Sequence, residues 1–461
     1  MKVSISTKRL LSLLFIFALA LTVRGLTATF IRAHFNDSSW FQFGSYAVFD
    51  SQAQAILDRR ESVFWINDST RTDRIVYPPG YPYWLAFIYK ISGQRSPAII
   101  QQVQIVLDSL SVLLLVGIGF SAYRWTVGLL AGILAALSPL LALAGATPNA
   151  DAPASWLVLA GVWCLLLAAK RQIIAYAIAA GALLGVACWL RVNLLFLFVA
   201  WAVALLWFVK TDWRRRVLLS GSLTLATLLV IAPLVIRNLV VFYPEVAPTG
   251  LGVGWNLLAG IGETERGAEF GAPCCDEQMI EQDRRALNLP ADAQIGLFWP
   301  DGIRRDRERG RRAIGIIASH PLWYSGVMAR RIGGHFKFAG APAPHVGSAG
   351  INITSQKSLS PGRQGGMVAF VVNVLGDIQS VLRFIILPFM LVGLVIAWRR
   401  EWRITALIFA TIVYYLITLA IGHSEIRYGL PMQALLFVFA AAAFHYLGSF
   451  LRGRKQWHAA V

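Results

Sequence analysis

Ten stretches of this chain stay apolar for about the ~20 residues that a helix needs to cross a bilayer. They run 10–30, 97–123, 125–146, 152–169, 172–190, 193–209, 217–236, 369–398, 404–421 and 428–450. In hydrocarbon no water satisfies a free N–H or C=O, so only helices or closed barrels can span. These runs are too long and too continuous for barrel strands. The expected fold class is therefore all-α and polytopic, with about ten transmembrane helices joined by extracytoplasmic loop regions. Composition agrees. Of 461 residues, 57% are hydrophobic and 14% charged, where soluble domains carry about 25% charged residues, and the mean hydropathy is +0.59.

Positive charge sets the orientation, because Lys and Arg gather in cytoplasmic loops. If all ten runs cross, then Arg124, Lys170, Arg171, Lys210, Arg214, Arg215, Arg216, Arg399, Arg400 and Arg403 fall on one side. The same side holds Lys2, Lys8 and Arg9 at the start and Arg452, Arg454 and Lys455 at the end. Both termini are then cytoplasmic, in a cytoplasmic (inner) membrane. The first run stays as an anchor rather than being cleaved as a signal peptide. The formal net charge of +18 reads as this topological bias. No basic module with interleaved aromatics suggests nucleic acid. Three regions follow: a membrane bundle over 1–242 that includes a first outer loop, 31–96; an extracytoplasmic loop region, 243–368; and C-terminal helices with a cytoplasmic tail, 369–461.

The outer segments carry their own signals. In 31–96, "VFDSQAQAILD" reads as a short helix and "YWLAFIYKISG" as a piece too short to span. Between them "RIVYPPGYPYWLAF" holds Pro78, Pro79 and Pro82 among Tyr77, Tyr81 and Tyr83. Proline fixes φ and disfavours helix at the preceding residue. A stiff extended wall with flat aromatic faces is expected there. In the second loop "DGIRRDRERGRRAIG" has six arginines between 304 and 312 and reads as a solvated helix face. Residues 320–338 read as an amphipathic surface helix. Sequons at Asn36, Asn67 and Asn352 lie in outer segments.

Ionisable groups at a membrane edge are costly, which makes each one a functional candidate. Asp151 opens the fourth run. Arg191 ends the fifth, Arg237 and Asn238 end the seventh, and Arg427 with Tyr428 precedes the last. Asp50 sits in the first outer loop. All map to the outer side, where Lys and Arg are normally scarce. Three arginines at outer helix ends suggest a shared anion, and guanidinium forks suit phosphate. Arg191, Arg237 and Arg427 are expected to converge on one pocket, with a carboxylate near enough to take a proton from a hydroxyl. The outer histidines (His34, His320, His335, His345 and His423) lack metal-ligand spacing, so no metal or other cofactor is required. A transporter would show repeated halves and paired mid-span charges; only Asp108 stands out within a run.

Five segments, in order, give the chain a family resemblance. They are "YPPGYPYWLAFIYKISG", "GLLAGILAALSPLLALAGATPNADAP", "AAGALLGVACWLRVNLLFL", "PLVIRNLVVFYPEVAPTGLGVGWNLLAGIGE" and "IRYGLPMQALL". Together the chain resembles the GT-C membrane glycosyltransferases, and among them the bacterial relatives of dolichyl-phosphate-mannose protein mannosyltransferases and of the lipid A aminoarabinose transferase. The resemblance implies sugar transfer from a polyprenyl-phosphate donor to an acceptor hydroxyl at the extracytoplasmic face, usually with inversion. The acceptor is left open: a glycan, a lipid or a protein. It implies an acid in the first outer loop as base or acceptor-orienting group, followed by Tyr and then by a small residue. Placing Phe49 and Ala53 on those positions puts Ser45 where the acid belongs. Asp50 is then the replacement, with Asp37 as an upstream candidate. Asp151, in Asp-x-Pro, matches a second acid, and Tyr77 stands where the aminoarabinose branch has Lys. The expected catalytic pair is Asp50 and Asp151. Arg191, Arg237, Asn238, Arg427, Tyr77, Pro78, Pro79 and the Asn256 of the Gly-x-Asn-Leu turn are expected to bind donor phosphate or substrate. The alternatives are a membrane transporter and a catalytically inactive member of the same fold.

Overall fold

The computed structural model describes residues 7–32, 35, 45–60, 63–66, 68–336, 367–423 and 425–451. Asp37 and the sequons at Asn36, Asn67 and Asn352 lie outside them. The described residues form sixteen α-helices and no strands. The all-α, membrane-spanning reading therefore holds.

The long helices follow the apolar runs. They are α1 (Thr7–Arg32), α4 (Pro97–Ala122), α7 (Asp151–Arg171), α10 (Trp213–Val241), α15 (Met367–Ala420) and α16 (Leu430–Leu451). Local chemistry sets their starts. Ser96 accepts from the Ala98 N–H, with Pro97 at the first helical position. Asp212 accepts from the Arg215 N–H at 2.9 Å to open α10.

By length and composition, six helices can cross a membrane, or up to seven if a bent pair counts as one span. The sequence reading of ten is not reached by that measure, for physical reasons. The run 125–146 breaks into α5 (Trp125–Leu137) and α6 (Pro139–Ala146), bent by 62°. Pro139 forces this, since it excludes helical ψ at Ser138, which adopts ψ 115° and caps the new helix. Helices α8 (Ile174–Leu190) and α9 (Leu197–Phe208) are shorter than a full span. The runs 369–398 and 404–421 form the two parts of α15, which meet at a kink at Glu401, where φ is −142° and ψ 53°.

The break between α5 and α6 carries a buried ion pair. Arg24 of α1 donates from Nε to Asp108 Oδ2 of α4 at 2.5 Å and reaches the Ala136 carbonyl at 3.3 Å. Trp156 Nε1 satisfies the other Asp108 oxygen at 2.6 Å. Arg24 is 1% exposed. It covers a carbonyl that a helix end leaves without an intrahelical donor.

The proline strip is not an extended wall. A 3-10 turn over Thr72–Ile75 leads to Pro79, the N-cap of α3 (Gly80–Ser92). Pro82 falls in the first turn of α3, where the N–H it lacks would have had no partner in any case. The prolines end the loop and start the helix. The short helix read around Asp50 is α2 (Ser45–Leu57).

Four further helices lie between α10 and α15: α11 (Val253–Gly262), α12 (Asp276–Ala286), α13 (Gly302–Ser319) and α14 (Pro321–His335). Leu258, Ile261, Met279, Ala313, Tyr324 and Val327 form their shared core. The arginine-rich α13 is only partly a solvated face. Arg305 and Arg309 are each 4% exposed and both pair with Asp283. They also donate to carbonyls of the 296–300 turn. Asp306 accepts from the N–H groups of Gly252, Gly254 and Trp255, which caps α11. Gly254 permits this approach, since a Cβ there would sit 1.7 Å from the Asp306 carbonyl oxygen. Charges this buried persist only when paired and hydrogen-bonded.

Candidate functional site

Three helix ends meet at one end of the bundle. Asp151 is the first residue of α7. Arg191 follows α8 with extended backbone, φ −145° and ψ 121°. Arg427 and Tyr428 lie in a 3-10 turn, Ile426–Gly429, that leads into α16. Antiparallel packing of α7 on α8 brings Asp151 and Arg191 together, and they form an ion pair. Arg427 Nε lies 3.9 Å from the same Asp151 oxygen, Oδ2. Both guanidinium carbons lie 5.4 Å from the Tyr428 ring centre. The two arginines thus share one carboxylate and one aromatic face, with about 15% and 14% of their side chains exposed.

The charge network continues outward. Glu425 pairs with Arg427 through Oε2 at 2.5 Å and accepts from it through Oε1 at 3.1 Å. His423 Nδ1 lies 2.6 Å from Glu263 Oε1, and its Nε2 lies 3.7 Å from Glu425. Burial works against charge on Glu425, but Arg427 and His423 outweigh it and hold the carboxyl down at about 2. Burial likewise opposes charge on His423, and the two glutamates outweigh it and raise the imidazole to about 9.

This segment is clasped from outside the bundle. The His423 N–H donates to the Asn256 carbonyl at 2.7 Å. Arg331, 2% exposed, donates to the Ala420 carbonyl at 3.1 Å and also to that of Gly260. Tyr324 Oη donates to the Ile421 carbonyl at 2.5 Å. Within 320–338, read from the sequence as an amphipathic surface helix, α14 exposes Leu322 and buries Tyr324 and Arg331 against the turn that carries His423. Asn256 contributes through its main chain, while its side chain donates to the Gly252 carbonyl at 2.7 Å.

The other expected residues are placed as follows. Tyr77 stands beside the arginine pair: burial raises its phenol, and the charges of Arg191 and Arg427 oppose the shift. Its ring meets Phe49 of α2 edge-on at 5.1 Å. Pro78 and Pro79, next in sequence, are buried. Arg237 does not join its two counterparts. Its Nε donates to Asn238 Oδ1 at 2.8 Å and its Nη1 to the Phe64 carbonyl at 3.1 Å. Asn238 Nδ2 donates to the Ala247 carbonyl at 2.7 Å. This pair staples two irregular segments, whose buried carbonyls need donors. Asp50 accepts from Tyr89 Oη at 2.5 Å and from Gln54 Nε2 at 2.7 Å. Its contacts lie on a different face of α2 from Phe49, since one residue along a helix turns the side chain by about 100°.

Sequence reasoning passed over Glu425, Glu263 and Arg24, and left His423 without a role. The signal was present: "HSEIRY" packs a histidine, a glutamate and an arginine between two apolar runs, and Arg24 lies inside one. Among the described residues, no group of three or more His, Cys, Asp and Glu is placed to hold a metal ion.

Residues 76–237 match the family described as dolichyl-phosphate-mannose-protein mannosyltransferase. No curated protein matches the chain. Among solved structures, the archaeal oligosaccharyltransferase AglB from Archaeoglobus fulgidus, in complex with an inhibitory peptide and a dolichol-phosphate, superposes with a TM-score of 0.51. Identity is 14%, over 99% of this chain and 52% of that one. The apo form of the Archaeoglobus fulgidus oligosaccharyltransferase gives a TM-score of 0.50 at 14% identity, over 96% of this chain and 51% of that one. ArnT from Cupriavidus metallidurans, bound to undecaprenyl phosphate, gives 0.36 at 15%, over 95% of this chain and 77% of that one. The chain thus spans about half the length of the oligosaccharyltransferases it matches.

Proposed function

We propose that this chain, a membrane protein with the GT-C fold, is a glycosyltransferase that takes its sugar from a polyprenyl phosphate. The observation that carries the reading is the meeting of Arg191 and Arg427 on one oxygen of Asp151. Two largely buried guanidinium groups side by side suit a phosphate, which accepts from planar forks. Their place at the end of the bundle opposite Lys170, Arg171 and Lys210 supports an extracytoplasmic site, by the positive-inside bias. The match over 76–237 supports the reaction class.

In this mechanism the oxygen of an acceptor hydroxyl attacks the anomeric carbon. The bond from that carbon to the phosphate oxygen breaks, and the phosphate leaves with the electron pair. Arg191 and Arg427 stabilise the charge that grows on it, which is commonly the largest catalytic contribution. Attack opposite the leaving group inverts the anomeric centre. The proton passes to a carboxylate, and Asp151 is the one beside the arginines. Tyr77 and Tyr428 offer flat faces to the sugar or the first isoprene unit. The acceptor is a hydroxyl of a glycan, lipid or protein.

A catalytically inactive member of the fold is the second reading. It is favoured by Ser45 at the family's acid position and by the engagement of Asp50 with Tyr89 and Gln54. Release of polyprenyl phosphate from a labelled polyprenyl-phosphate sugar, by purified protein in lipid nanodiscs, tests both. Release that Arg191→Gln and Arg427→Gln lower at least about a hundredfold supports transfer. Binding of the labelled lipid without release supports the second reading, and movement of label across the bilayer without release supports a transporter.

A further inference from the structure

The arginine pair that would hold a phosphate is already occupied. Along Arg191, Asp151, Arg427, Glu425, His423 and Glu263, three cations alternate with three carboxylates, with His423 held protonated. A polyprenyl phosphate adds at least one negative charge. An uncompensated charge in a partly dry site is strongly unfavourable. One resident carboxylate therefore has to give way. Glu425 is 2% exposed and engages Arg427 through both oxygens, with His423 at its flank. Glu263 pairs with His423 and forms no ion pair with either arginine among the described residues. Asp151 differs from them. It offers the single oxygen Oδ2 to both guanidinium groups, and Arg427 reaches it only at 3.9 Å. It begins a helix, directly after the turn from Thr147 to Ala150, where regular backbone bonding stops. Beside it, Arg191 Nε is buried and has no hydrogen-bond partner among the described residues.

Resting on the lipid-phosphate reading above, we propose that Asp151 is a resident counter-anion. It takes the place of a phosphate oxygen between Arg191 and Arg427, and the donor's phosphate displaces it from Arg191. The carboxylate becomes available to an acceptor hydroxyl only after the donor has lodged. Donor binding therefore precedes acceptor binding.

Binding of undecaprenyl phosphate to the full chain in detergent micelles tests the proposal. Asp151→Asn, which keeps shape and removes charge, is expected to bind at least about tenfold more tightly, because the competing state is removed. In an Arg191→Gln background the same change is expected to tighten nothing, since the contested cation is gone. Equal tightening in both backgrounds means long-range repulsion and overturns the proposal. So does unchanged or weaker binding by Asp151→Asn alone. If the wild-type chain binds no undecaprenyl phosphate, the lipid-phosphate reading itself fails, a result distinct from the others. Should a variant not fold or not bind measurably, the wild-type chain decides. A structure with undecaprenyl phosphate should show the Arg191–Asp151 ion pair open; phosphate on Arg191 with that pair intact overturns the proposal.

Discussion

At the residue scale, the candidate site depends on charges that compensate one another in pairs. The chain announces part of this. Asp151, Arg191 and Arg427 could be picked out because a charge next to an apolar run needs a reason. Arg237 meets the same test, and it donates to Asn238 and to the Phe64 carbonyl rather than to Asp151. Sequence shows that a buried guanidinium needs partners, but not which ones. His423 and Glu425 give the sharpest prediction. The His423 imidazole is raised from 6.5 to about 9, so its contribution to folding is complete below 6.5 and is lost as pH rises through 9. The Glu425 carboxyl is lowered from 4.5 to about 2, so its contribution is complete above 4.5 and is lost as pH falls through 2. The clasp is therefore strongest between 4.5 and 6.5. Thermal melting of the detergent-solubilised protein should fall from pH 6.5 toward 10 more steeply in the wild type than in His423→Gln. Parallel curves would remove the protonated histidine from the account.

At the element scale, helix ends and breaks do the placing. Ser138 and Pro139 break an apolar run, and the resulting α6 leads directly to Asp151. The break was legible as "SP" inside a run, but a run of apolar letters reads as one span until the proline is given its steric consequence. The opposite error occurred at Pro78, Pro79 and Pro82, where three prolines suggested an extended wall. They instead sit at the start of a helix, where a missing N–H is harmless. The Arg24–Asp108 pair ties α1 to α4 beside the α5–α6 break. Arg24→Leu or Asp108→Leu alone should cost about 3–5 kcal/mol, because each strands a buried charge, while the double change should restore most of the loss. Thermal melting of the three variants checks this. Gly254→Ala is expected to destabilise α11 by about 1–3 kcal/mol or to prevent its docking, since the added methyl meets the Asp306 carbonyl at 1.7 Å. Its signature is early proteolysis within 253–319 ahead of global unfolding.

At the scale of the whole molecule, composition and periodicity made the all-α membrane class legible before any coordinate. Six or seven helices pass a length and composition test where the sequence reads about ten runs; hydropathy measures apolar length and cannot see that α8 is a 17-residue helix or that the two parts of α15 meet at a kink at Glu401. The region 243–368 was least legible. Its buried arginines look like surface charge in the sequence, yet Arg309 of α13 holds the Leu297 carbonyl and α14 holds the turn that carries His423. Arg331→Gln should therefore act at a distance. It is expected to lower sugar transfer about tenfold by loosening the Ala420 carbonyl, with folding retained. Transfer assays set beside melting curves separate that outcome from simple instability.

The two guanidinium groups come from opposite halves of the polypeptide, Arg191 after α8 and Arg427 just ahead of the final helix. During synthesis a ribosome-bound chain therefore carries only one of the two cations that meet on Asp151 until the stretch ahead of α16 has been made.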